Sequence, residues 1–230
     1  MLAYGGQVLL VVLLASFTRL ILLMLNPNLE NEPEILERLI LQSSLLPVAM
    51  ASALLTLGMV YGSVSILSGR PFLAALGLRR PSRTSLSFAL SGVLVAFGSL
   101  LVMAVFPPDE EMPLGPMSEL ARSGPFGHAI WALLAVAVAP IVEEILFRGY
   151  AYLGARERLG AVRAATAVTL LFVGLHLTET AGWWPATLGI GAISVLLAVI
   201  MQRTGNLTHC IACHAGYNAT LAALSFVGAG

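Results

Sequence analysis

Long apolar stretches separated by short polar breaks make up this chain, at about 5–25, 42–67, 85–106, 128–153, 162–183, 185–202 and 207–228. Roughly 20 consecutive apolar residues in a helix cross the hydrocarbon core of a bilayer. The pattern therefore predicts an all-α, polytopic membrane bundle of about seven transmembrane helices. The breaks are too short for a separate soluble domain, so residues 1–230 are expected to form one membrane domain, with N-terminal helices over 1–124 and a core over 125–228. There is no internal repeat and no low-complexity tract. The stretch from Gln7 to Leu25 lacks the basic start of a signal peptide and is long enough to span. It reads as the first helix, with Arg19 either facing the bundle or snorkelling to an interface.

Composition sharpens this picture. The chain is 58% apolar and 10% charged, where an ordinary soluble domain carries about 25% charged residues. Every basic residue is an arginine, and the arginines are unevenly placed. The second, fourth and sixth breaks, with the helix ends beside them, hold Arg70, Arg79, Arg80, Arg83, Arg148, Arg156, Arg158, Arg163 and Arg203. The first and third hold only Arg38 and Arg122, among Glu30, Glu32, Glu34, Glu37, Asp109, Glu110, Glu111 and Glu119. The positive-inside rule puts the arginine-rich breaks in the cytoplasm, hence the N-terminus inside and the C-terminus outside. The expected location is the cytoplasmic membrane of a prokaryote, in contact with membrane lipid. With no basic tract beyond these loops, nucleic-acid binding has no footprint.

Ionisable groups inside such helices are costly and mark function. The fourth stretch carries Pro140, Glu143, Glu144 and Arg148. Residues four apart are helical neighbours, so Glu144 and Arg148 form a pair, while Glu143 is turned about 100° away and needs another partner. Pro140 removes the backbone bond to Val136 and loosens the helix just before the glutamates. The fifth stretch carries Phe172 and His176, and the seventh carries His214 and Asn218, each pair four apart. A carboxylate with a histidine activates water, and a second histidine and an amide stabilise an oxyanion. One glutamate and two histidines are also a catalytic zinc set, although the His-Glu-x-x-His helix of ordinary zinc proteases is missing.

Together these motifs resemble the CPBP family of intramembrane proteases, also called the CAAX-protease and bacteriocin-processing (Abi) family, which includes the type II CAAX prenyl endopeptidases. Its pattern is Glu-Glu-x-x-x-Arg, Phe-x-x-x-His and His-x-x-x-Asn. Here these stand in order as Glu143-Glu144-Ile-Leu-Phe-Arg148, Phe172-Val-Gly-Leu-His176 and His214-Ala-Gly-Tyr-Asn218. Weaker matches are Phe147-Arg148-Gly149-Tyr150, Arg203-Thr204-Gly205-Asn206-Leu207 and Leu76-Gly77-Leu78-Arg79-Arg80-Pro81. The resemblance is good over roughly 125–228 and weak before 120. It implies an intramembrane endopeptidase in which Glu143 and His176 activate water while His214 and Asn218 hold the oxyanion. Glu144, Arg148 and Phe172 would support them. The family has been described as glutamate-type and as metal-dependent, so Zn2+ on Glu143, His176 and His214 is an alternative. The substrate would be a membrane-bound peptide or protein, prenylated or not.

Other readings compete. Cys210-Ile-Ala-Cys213-His214 matches a haem-attachment pattern, His209 with the two cysteines would make a zinc site, and plain packing explains small cysteines three apart. A non-catalytic membrane partner or a transporter would also place polar residues at the midplane. His128 and His209 read as interfacial, and Trp183 and Trp184 as part of an interface belt. The polar loop Pro107–Phe126 has no assigned role.

Overall fold

The structure is a computed structural model that describes residues 15–108, 120–122 and 124–228. Eight helices organise it: α1 (Ala15–Leu25), α2 (Pro33–Tyr61, continued in π form by Gly62–Leu67), α3 (Phe72–Ala75), α4 (Arg83–Val105), α5 (Pro125–Leu159), α6 (Ala161–His176), α7 (Trp184–Thr204) and α8 (Leu207–Gly228). No strand occurs among the described residues. The start of the first expected span, and most of the loop Pro107–Phe126, lie outside them.

Four helices are long and apolar enough to cross a membrane: Leu46–Leu67, Arg83–Val105, Pro125–Leu159 and Trp184–Thr204. This is the part of the seven-span expectation that the fold supports. α8 has 22 residues but carries His209, His214 and Asn218, which dilute its apolar character. The expectation of a fifth span over 162–183 is corrected. α6 stops at His176, where Glu179 and Thr180 both donate to its carbonyl, and Ala181 and Gly182 then take left-handed φ values of 48° and 76°. Left-handed residues cannot continue a right-handed helix. The chain turns and restarts with Pro185 in the first turn of α7, a position where proline suits a helix.

Elsewhere the boundaries follow from local chemistry. Ser82 and Ser85 form a reciprocal capping box at the start of α4. Gly205, at φ 56°, closes α7 in the left-handed cap conformation. The segment after α3 is tied to the start of α8: Leu207 donates to the Gly77 carbonyl at 2.9 Å, and Thr208 Oγ1 bridges the amide and carbonyl of Arg79. Arg70 reaches Glu157 at 3.9 Å. The arginine-rich connections thus share one end of the bundle. At the other end Trp183 Nε1 donates to the Phe106 carbonyl, and Ser225 meets His128 Nε2 at 3.2 Å. Arg19 is exposed.

The tightest contact is between α4 and α8. Buried Ser85, Gly92, Ala96 and Ser99 form a small-residue stripe on α4. A Cβ on Gly92 would overlap the Cys213 carbonyl oxygen, and one on Gly216 would overlap that of Ala89. Small residues let helix backbones approach where lipid gives no hydrophobic drive to associate. A Gly92→Ala variant is expected to lose about 1–3 kcal/mol or fail to assemble, because overpacking must push the two helices apart. Gly98→Ala on the same helix, with open space at its Cβ, is expected to unfold at or slightly above the wild-type temperature. Thermal unfolding in detergent compares them, and equal midpoints for Gly92→Ala and wild type would refute this packing.

Candidate active site

α5 carries the two glutamates between two π-helical stretches, Leu134–Val138 and Ile145–Ala151. Each stretch re-aims the residues that follow it relative to an ideal α-helix, and such bulges recur at functional sites. Glu144 is fully buried. Its Oε1 accepts from Arg148 Nη1 at 3.0 Å and lies 2.9 Å from His214 Nδ1. Arg148, also buried, donates through Nη2 to Ser194 Oγ at 2.8 Å and to the Ser194 carbonyl at 3.3 Å. Its guanidinium carbon sits 4.5 Å from the Phe172 ring centroid, a favourable cation–π distance worth up to about 2 kcal/mol when dry. One charged pair therefore connects α5, α6, α7 and α8.

Glu143 points elsewhere. Its Oε2 is 3.9 Å from His176 Nε2 and 3.9 Å from His214 Nε2, and this buried oxygen has no hydrogen-bond partner. The other nitrogen of each ring is already committed. His176 Nδ1 lies 2.7 Å from the Phe172 carbonyl, which only accepts, so Nδ1 carries the proton. Glu144, already accepting from Arg148, fixes His214 in the same tautomer. In a neutral imidazole the remaining nitrogen then has a lone pair and in an imidazolium it has a proton, and both Nε2 atoms face one carboxylate oxygen. The Phe172 ring stacks on His176 at 4.4 Å between centroids and meets His214 edge-on at 6.0 Å. The side chains of Glu143 and His176 are 26% and 27% exposed while that of His214 is 5%, so the site opens on the side of Glu143 and His176.

Asn218 lies one turn beyond His214 on α8, about 6 Å along the axis. Its Nδ2 is bonded to the Ala135 carbonyl at 2.6 Å. The structure therefore gathers Glu143, His176 and His214 at one point and places Asn218 one helical turn further along α8, anchored to an earlier turn of α5. The sequence reading missed Ser194 and the Ala135 carbonyl. Ser194 is an ordinary small residue in an apolar helix, so nothing in its surroundings marks it.

Residues 125–220 match the family model described as Type II CAAX prenyl endopeptidase Rce1-like. Over this segment the chain is similar to that family. No curated protein and no solved structure matched the chain. The matched segment runs from the start of α5 into α8 and contains Glu143, Glu144, Arg148, Phe172, His176, Ser194, His214 and Asn218.

Two imidazoles and a carboxylate have the donor chemistry of zinc, and histidine ligands usually have the far nitrogen held as these are. The spacing fits less well. Ligand atoms of a tetrahedral zinc lie about 3.3 Å apart, whereas both separations here are 3.9 Å. No group of three His, Cys, Asp or Glu among the described residues is placed to hold a metal ion. That includes His209 with Cys210 and Cys213, whose thiols are fully buried. Cys210 Sγ lies 3.6 Å from the Leu197 carbonyl, and His209 stacks on Phe88 and contacts Asn206. That packing leaves the thiols no face for a haem.

Breaking the buried pair should unfold the protein well before it alters Glu143. Arg148→Ala leaves Glu144 charged and dry with only His214 beside it, an expected loss of about 3–5 kcal/mol. Glu143→Gln removes no hydrogen bond from a partly exposed side chain and should change stability by less than about 0.5 kcal/mol. Denaturant titrations in detergent measure both, and an Arg148→Ala midpoint equal to wild type would contradict the proposed weight of this pair.

Proposed function

We propose that this protein is an intramembrane endopeptidase that hydrolyses a peptide bond with water activated by Glu143. One observation carries the reading: the Nε2 atoms of two imidazoles converge on the unbonded Oε2 of Glu143, in a membrane helix. A water about 2.8 Å from each of two atoms 3.9 Å apart makes hydrogen bonds at roughly 90°, within the usable range for bridging water. The Glu143 carboxylate takes one proton from that water as its oxygen attacks the scissile carbonyl, with His176 orienting it. The resulting oxyanion is held by the second N–H of Asn218 and by His214. With Nδ1 already given to Glu144, His214 donates through Nε2 only as the imidazolium, which Glu144 stabilises. The cluster then balances the Glu144 carboxylate and the oxyanion against one guanidinium and one imidazolium. As the C–N bond breaks, the proton on Glu143 passes to the departing amine.

The Rce1-like match over residues 125–220 supports a protease acting on a membrane-associated peptide, and a C-terminal, lipid-modified tail is the substrate class we favour. No step here runs through a metal.

Purified protein is expected to cleave peptides from a library of lipidated and plain C-terminal sequences. Glu143→Ala and His176→Ala should abolish cleavage, Asn218→Ala should lower kcat by about 10²–10³, and Cys210→Ser should keep most activity. Chelation with a strong divalent-metal ligand is expected to leave the rate unchanged, and a rate restored only by added zinc would replace the glutamate mechanism. Cleavage that survives Glu143→Ala would overturn the assignment. Transport or partner binding lost in Glu143→Ala, with no peptide cut by wild type, would favour a transporter or non-catalytic membrane partner.

A further inference from the structure

Pro140 is buried and sits three residues before Glu143, at the junction between the first π stretch of α5 and the turn that holds the glutamates. In that stretch the amide of Ala139 donates to the carbonyl of Leu134, five residues back. The next bond in the same register would run from residue 140 to the carbonyl of Ala135. Proline has no N–H, so the Ala135 carbonyl loses its donor along the helix. The freed group is thus Ala135, one residue earlier than an α-helical register assigns, because the chain has slipped into π form before the proline.

A buried carbonyl without a donor costs about 1–3 kcal/mol, and lipid supplies none. Asn218 supplies it from α8, with Nδ2 2.6 Å from the Ala135 oxygen. The contact fixes the carboxamide. Nitrogen faces Ala135, the oxygen faces away, and one N–H is left over. We infer that Pro140 is a positioning residue: by withholding a backbone proton from Ala135 it reserves that carbonyl for Asn218 and so sets the direction of the remaining amide proton beside His214. This use of the amide rests on the endopeptidase reading, whereas the assignment of the bond does not.

Pro140→Ala restores the missing N–H with a residue that helices accept readily. The chain has five asparagines, so full-length protein labelled with [15N]asparagine in micelles gives five side-chain amide pairs, of which Asn218's is the one lost in Asn218→Ala. In wild type that pair is expected to show one proton slow to exchange. In Pro140→Ala its protection should fall about tenfold, the equivalent of one ordinary hydrogen bond. Pro140→Val, closer to proline in volume, repeats the measurement should the alanine variant fold poorly. Unchanged protection in both variants overturns the proposal. On a cleaved peptide, Pro140→Ala should lower kcat with KM held, and adding Asn218→Ala should then cost far less than the about 10²–10³-fold expected alone. Fully additive losses overturn it as well. If wild type cuts no peptide, the endopeptidase reading fails while the exchange measurement still decides the bond.

Discussion

A charged carboxylate with no exposure to solvent, Glu144, is the constraint around which this bundle is arranged. Stripping such a group of water is affordable only with close, well-aligned partners. It has two on one oxygen, Arg148 and His214. Arg148 in turn needs acceptors, which it finds in Ser194 on α7 and in the Phe172 ring on α6. Each demand recruits another helix, so the pair acts as a keystone for four. It also determines the state of the neighbouring chemistry, because it takes His214 Nδ1 and leaves Nε2 aimed at Glu143.

The two adjacent glutamates therefore divide the work. Glu144 is dry, ion-paired and structural in its contacts. Glu143, one residue away and on another face, is partly exposed and unbonded. The same residue type has two environments because a helix turns about 100° per residue. The π stretches on either side of them adjust where each carboxylate lands.

Much of this was legible in the sequence, for local reasons. The apolar periodicity marked the long helices, and the four-residue spacing of Glu144 and Arg148, of Phe172 and His176, and of His214 and Asn218 put each pair on one helical face. What could not be read were contacts between helices. Nothing near Ser194 shows that it accepts from Arg148. The partner of Asn218 is a backbone carbonyl, invisible as a residue type, and it is exposed only by a slip into π register that sequence periodicity does not resolve. The end of α6 was missed because a full-length span was expected there, although Thr178, Glu179, Thr180 and Gly182 interrupt the apolar run just after His176. The helix stops at His176, and left-handed backbone at Ala181 and Gly182 keeps the chain from resuming it.

The glycine-mediated contact between α4 and α8 has a mechanical corollary. Where Gly92 meets Cys213 and Gly216 meets Ala89 main chain to main chain, no side chains remain to flex, and sliding one rod along the other would drive Cβ atoms into carbonyl oxygens. The pair is a rigid post. His214 and Asn218 are mounted on that post, so any widening of the site has to be made by the parts facing it across the solvent-accessible side.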